Sequence, residues 1–136
     1  MRTILVVDDD AWVRGLARDV LAREGYRVLE ASDGQDAIRV SAEHPGPIHL
    51  LLTDVMMPGM NGCDLATGLS ALLPGLKVMF MSGASPAEVA DHGLGLAFGQ
   101  PYLSKPFTIE YLTRRVQMVL GDRRAAAPVA TVAPAR

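Results

Sequence analysis

Five residues of this chain suit phosphate chemistry, and each stands where an apolar run stops. Asp8 and Asp9 follow Thr3–Val7, and Asp54 follows Ile48–Thr53. Ser82 follows Val78–Met81, and Lys105 follows the short run Tyr102–Ser104. If these runs are parallel strands of one sheet, their endings share one edge. Ligands of open α/β sheets bind there, outside the carboxyl ends of the strands. Asp8, Asp9 and Asp54 gathered in one crevice could hold Mg²⁺, which takes one or two carboxylates together with water and phosphate oxygens. Without a cation their mutual repulsion would be costly. A carboxylate such as Asp54 can also act as a nucleophile towards phosphorus and form an aspartyl phosphate. A metal bridging the phosphoryl oxygens would reduce the repulsion between the two anions. Ser82, followed by Gly83 and Ala84, offers a hydroxyl and backbone N–H groups to a phosphoryl group. Lys105, one of two lysines against eleven arginines, offers a compact ammonium for a point contact.

Each residue alone has a plainer reading. Asp10, adjacent to the first predicted helix, reads as its cap. Asp54 in isolation could be an Asx-turn residue ahead of Pro58-Gly59, Ser82 a strand-end cap, and Lys105 a solvated surface lysine. The convergence of the set carries more information than any member.

The elements that must position these residues alternate along the chain. Val13, Leu16, Ala17, Val20 and Leu21 recur at helical spacing before a stop at Gly25. Arg27–Ala31 reads as a half-buried strand, followed by a helix from about Gly34 to Glu43 that Pro45-Gly46-Pro47 closes. A turn-forming segment, Met56 to Gly62, leads to a helix marked by Leu65, Leu69, Leu72 and Leu73 and ended by Pro74-Gly75. Ser85-Pro86-Ala87-Glu88 matches a capping box and opens a further helix, weakened by Gly93, Gly95 and Gly99. Ile109, Leu112, Val116, Val119 and Leu120 form the last helix, with Thr108 as N-cap and Gly121 as stop. Five strands alternating with five helices predict a parallel sheet between helix layers. The first, third and fourth runs are nearly all apolar, as strands buried on both faces should be. The second and fifth therefore belong at the edges, which gives the order 2-1-3-4-5 and a switch point between strands one and three. Asp8, Asp9 and Asp54 end those two strands.

Composition narrows the function classes. At 136 residues the chain makes one domain. Its 49% hydrophobic and 5% aromatic content suits an aliphatic core. No run approaches the ~20 apolar residues of a membrane helix, and no signal-peptide pattern precedes the first strand. The single cysteine, Cys63, falls on a predicted helix as a packing residue and fits a reducing cytoplasm. Net charge is −2, and the segment 122–136 carries three Arg and one Asp, so the body is more acidic than the whole. An acidic body is a poor footprint for nucleic acid, and no direct DNA binding is expected. The Ala/Pro-rich segment 122–136 reads as a disordered tail, leaving residues 1–121 as the folded domain.

Val7-Asp8-Asp9-Asp10, Thr53-Asp54-Val55-Met56-Met57-Pro58, Asn61-Gly62, Met81-Ser82-Gly83-Ala84 and Lys105-Pro106-Phe107 stand in order along the chain. In these motifs it resembles the receiver domain of bacterial two-component response regulators over roughly Arg2 to Gly121. The wording around Asp54 is also similar to receivers appended to hybrid histidine kinases. The resemblance implies a flavodoxin-like (βα)5 three-layer sandwich. It implies a phosphoryl group accepted on Asp54 from a histidine kinase or histidine phosphotransferase, with Mg²⁺ held by Asp8, Asp9, Asp54 and the backbone carbonyl of Met56. Ser82 and Lys105 would contact the phosphoryl group. Tyr102 would be the switch aromatic that turns inward, although it could equally be an edge-strand aromatic packing on the last helix. The Lys105-Pro106 bond is expected to be cis. Met56 and Ala84 occupy positions where the family tunes acyl-phosphate hydrolysis, and neither side chain can hold a water.

The resulting expectation is a phosphorylation-switched signalling domain rather than an enzyme acting on other molecules. The fifteen residues after Gly121 are too few for an output domain, so output would run through protein binding or phosphate relay. The alternative from another class is a Mg²⁺-dependent phosphatase of the haloacid dehalogenase type, whose Asp-x-Asp spacing Asp8 and Asp10 satisfy. Trp12 stands where that motif wants Thr or Val. A flavodoxin-like FMN binder would need a Ser/Thr/Gly-rich turn where this chain has acids.

Overall fold

Near-continuous apolar strands must be covered on both faces, and the computed structural model, which describes residues 1–85, 87–88 and 101–122, shows how. Five strands, β1 (Thr3–Val7), β2 (Arg27–Ala31), β3 (Leu50–Asp54), β4 (Lys77–Ser82) and β5 (Tyr102–Ser104), form one sheet. All neighbouring pairs are parallel, in the order β2-β1-β3-β4-β5. Every residue of β1 and β3 is buried, whereas β2 and β5 are more exposed. The flavodoxin-like sheet inferred from the sequence is therefore the one observed.

Strand alternation divides the core in two. Leu5, Val7, Leu51 and Phe80 face α2 (Gly34–Glu43) and α3 (Gly62–Leu72), where Ala37, Leu65 and Leu69 meet them. Ile4, Val6, Leu52 and Met81 face the other way, against Leu21 of α1 (Ala11–Arg23) and Leu112 and Val116 of α4 (Ile109–Leu120). Helix ends are set by local chemistry. Asp10 accepts from the N–H groups of Trp12 and Val13, Asn61 from Asp64, and Thr108 from Tyr111. Gly121 closes α4 in the left-handed region at φ 71°, where glycine carries no steric penalty.

The structure adjusts several expectations. β3 begins at Leu50 rather than Ile48 and takes in Asp54 itself. His49 is occupied instead with both backbone groups of Thr3: its N–H donates to the Thr3 carbonyl, and its Nδ1 accepts from the Thr3 N–H. Among the described residues there are four helices. The helix expected after Ser82 shows its capping box, Ser85 N–H to Glu88 Oε1 at 2.8 Å and Glu88 N–H to Ser85 Oγ at 3.1 Å. The remainder of that helix, with Gly93, Gly95 and Gly99, lies outside the described residues, as does the expected tail from 123 onward. Asp122, counted with that tail on sequence, is tied to the fold. Its carboxylate accepts from the Tyr26 hydroxyl at 3.0 Å, across 96 positions of chain. Burial and this acidic partner push the Tyr26 hydroxyl's pKa upward.

Gly62 opens α3 directly against the end of β3. Its N–H donates to the Val55 carbonyl at 2.8 Å. A Cβ at this position would overlap the Asp54 carbonyl oxygen and lie 3.0 Å from Val55 Cα. Backbone atoms cannot step aside as a flexible side chain can. Gly62→Ala is expected to lower stability by about 1–3 kcal/mol, measured by urea unfolding. Gly68→Ala in the same helix meets open space and should raise it by about 0.4–1 kcal/mol.

Candidate functional site

β1 and β3 are adjacent, but the chain leaves them on opposite sides, towards α1 and α3. A crevice opens between those exits, and the acids stand in it. Asp8 is fully buried, Asp54 is buried at the end of β3, and Asp9 is exposed on the turn into α1. One carboxylate oxygen from each lies within 4.8 Å of the others. The sequence reading brought these three together, and the fold does so.

Lys105 reaches the same point from β5, on the far side of β4. Its ammonium lies 2.7 Å from Asp8 Oδ2 and 3.1 Å from Asp54 Oδ2. The Lys105-Pro106 peptide is cis, as expected, and the Lys105 N–H donates to the Ser82 carbonyl at 2.9 Å. The second oxygen of each buried acid is also engaged. Asp8 Oδ1 accepts from the Asp10 N–H at 2.9 Å, and Asp54 Oδ1 from the Met56 N–H at 3.4 Å. Burial pushes the Asp54 carboxyl above its usual pKa, and the Asp8 charge adds to the shift. The Lys105 ammonium and the Met56 N–H oppose it incompletely. For Lys105, burial pulls the ammonium down, but the hydrogen bond it donates to Asp8 and the two negative charges outweigh this and raise the pKa. The lysine is therefore a fixed positive charge at working pH.

Ser82 is buried at the end of β4, one step beyond Met81, the residue that pairs with Asp54. Its hydroxyl oxygen accepts from the Ala84 N–H at 3.0 Å. The Tyr102 hydroxyl donates to the Ala84 carbonyl at 2.6 Å. Tyr102 packs with the α2–α3 side of the core, not on α4, so the alternative reading of its ring is overturned. Alternation along β5 decides this: Leu103 takes the α4 side. Towards α4, the Tyr102 carbonyl accepts from Arg115 Nη2 at 3.3 Å. Sequence reasoning passed over Arg14, whose Nη1 donates to the Asp8 carbonyl at 2.7 Å. An arginine on a predicted helix gives no signal of such reach.

Oxygen donors alone, two buried and one open to solvent, suit a hard divalent cation that keeps part of its water shell. A family model, the response regulator receiver domain, matches residues 4–117. The chain belongs to that family. This receiver is 36% identical over 121 residues to the transcriptional regulatory protein CpxR of Escherichia coli, covering 88% of the chain and 50% of CpxR. It is 34% identical to part of the sensor kinase CckA of Brucella abortus, covering 87% of the chain and 12% of the kinase. Among solved structures, the receiver domain of a hybrid histidine kinase CckA matches with a TM-score of 0.72 at 37% identity, covering 87% of this chain and 98% of that one. The response regulator TrrA of Thermotoga maritima, solved in complex with Mg(2+)-BeF, matches with a TM-score of 0.73 at 27% identity, covering 88% and 99%. The receiver spans about half the length of the first curated relatives it matches. The haloacid dehalogenase alternative finds no support in these relationships. No described helix of the receiver is long and apolar enough to cross a membrane.

The raised pKa of Asp54 has a definite sign. A folded value above the unfolded one favours the neutral acid in the folded state. The associated stability is full below the ordinary carboxylate range and is lost as pH rises through the raised value. In metal-free buffer, Asp54→Asn should therefore gain stability relative to the wild type as pH climbs from about 4 to about 7, followed by urea unfolding with a chelator present. A constant difference across that window would contradict the assignment.

Proposed function

We propose that this receiver accepts a phosphoryl group on Asp54 from a histidine kinase or histidine phosphotransferase, with Mg²⁺ held by Asp8, Asp9, Asp54 and the Met56 carbonyl. The observation that carries the reading is the Lys105 ammonium set between two buried carboxylates, one of them raised in pKa. Such a site is short of positive charge, a deficit that a divalent cation would meet. TrrA's complex with Mg(2+)-BeF supports magnesium as the cation.

In the transfer, an Asp54 carboxylate oxygen forms the new O–P bond while the N–P bond of the donor phosphohistidine breaks, and the imidazole departs with that electron pair. Mg²⁺, when bound, supplies positive charge against the phosphoryl oxygens. Lys105 already touches Asp54 Oδ2 and can pass to a phosphoryl oxygen with little movement. Ser82 and the Ala84 N–H lie at the same edge. A Ser82 hydroxyl drawn towards the phosphoryl group would give up the Ala84 N–H, which stands beside the Ala84 carbonyl held by Tyr102. In this reading Ser82 and Tyr102 form the switch, with the half-buried Tyr102 ring turning further inward as Ser82 moves. The modified surface then binds a protein target, in the cytoplasm where the histidine donors work, whether this receiver acts alone or as one part of a hybrid kinase.

Incubation with acetyl phosphate and Mg²⁺ should give a single phosphoryl adduct by intact-mass measurement. Asp54→Asn, or a chelator with the wild type, should give none. An adduct that persists in Asp54→Asn would overturn the assignment. Met56 is exposed beside Asp54, and its thioether does not hold an attacking water. Met56→Asn should therefore shorten the adduct's lifetime in a dephosphorylation time course, and an unchanged or longer lifetime counts against this role.

A further inference from the structure

The three residues Asp8, Asp9 and Asp10 join β1 to α1, and hydrogen bonds hold both ends of this turn. The Asp8 N–H donates to the Ala31 carbonyl at 3.2 Å. The Asp10 N–H binds Asp8 Oδ1, and the Asp10 carboxylate caps α1. Between those ends lies the Asp8 carbonyl, the acceptor half of the peptide that leads into exposed Asp9. Arg14 takes it, with Nη1 at 2.7 Å. Nε of the same guanidinium lies 3.4 Å from Glu30 Oε1 on β2, and Glu30 Oε2 is in turn held by Arg18 Nη1 at 3.3 Å. The Arg14 side chain is only 19% exposed.

Since a peptide unit is planar, fixing the Asp8 carbonyl fixes the direction in which the chain enters Asp9. A charge-assisted bond from a guanidinium is strong enough to do this, and Glu30 holds the planar fork in place. We infer that Arg14, seated between the Asp8 carbonyl and Glu30, is a positioning residue for the cation site: it fixes the turn that presents Asp9 to Asp8 and Asp54. The inference rests on the proposed role of those acids in holding Mg²⁺.

Arg14 and Lys105 are both cations beside the acidic trio, but they act with opposite sign. Lys105 occupies carboxylate oxygens of Asp8 and Asp54, so it competes with a metal. Arg14 occupies a carbonyl and Glu30, and leaves the trio's carboxylates to the metal.

Calorimetric titration with MgCl₂ separates the two, with urea unfolding in a chelator reporting the fold. Wild type should bind Mg²⁺, and Lys105→Met should bind it more tightly. Arg14→Met should bind about tenfold more weakly, the usual cost of removing a group that orients a metal ligand. Arg14→Lys keeps the charge but cannot reach both partners, so it too should weaken binding, and it decides the matter if Arg14→Met does not fold. Equal or tighter binding by the Arg14 variants, with a wild type that binds, overturns this inference alone. A folded wild type that does not bind Mg²⁺ overturns the metal assignment and this inference with it.

Discussion

One ammonium between two buried carboxylates organises this receiver. Asp8 ends β1, Asp54 ends β3, and Lys105 follows β5, so the bridge joins three strands that share no local sequence. Two buried carboxylates so close would repel, and a lone positive charge in the same crevice would be poorly solvated. Each makes the other tolerable. The balance is incomplete, because Asp9 adds a third acid nearby and Asp54 stays raised in pKa. The fold thus carries an unmet electrostatic demand at one place.

The parallel sheet is what makes the convergence possible. Because every strand runs the same way, five separate chain segments deliver their last residues to one edge. The two apolar faces then lock that edge in depth. Met81, the partner of Asp54, is buried on the α1–α4 side, while Phe80 and Tyr102 lie on the α2–α3 side. Alternation along β5 sends Leu103 and Tyr102 to different layers, so Tyr102 meets Ala84 while its neighbour packs under α4.

Much of this was legible in the residues. Apolar runs stopping at Asp, Ser and Lys gave the sheet edge, and the contrast between buried and mixed strands gave the order. Asp10, Thr108 and Gly121 cap their helices as their chemistry requires. What escaped was whatever depends on reach between elements. Arg14 looks like any helical arginine until α1 is laid across β1 and β2. Asn61 falls within a turn-forming stretch of sequence, yet it is the N-cap of α3, a role fixed only by where the helix starts. The His49 ring accepts from the Thr3 N–H, a long-range bond no local pattern encodes. Tyr102 remained open between two packings because three residues of strand give too little alternation to assign a face.

Gly62 leaves its mark on how a perturbation can travel. Bare of a side chain, the first turn of α3 rests on the Asp54 carbonyl with no slack between the two backbones. The Gly62 N–H, donated to the Val55 carbonyl, ties the two segments together directly behind the carboxylate. Asp54 therefore meets backbone on the α3 side, and on the other its carboxylate meets the Lys105 ammonium, whose own N–H is held by Ser82 on β4. The fit behind the carboxylate depends on a position where even one methyl group would have no room.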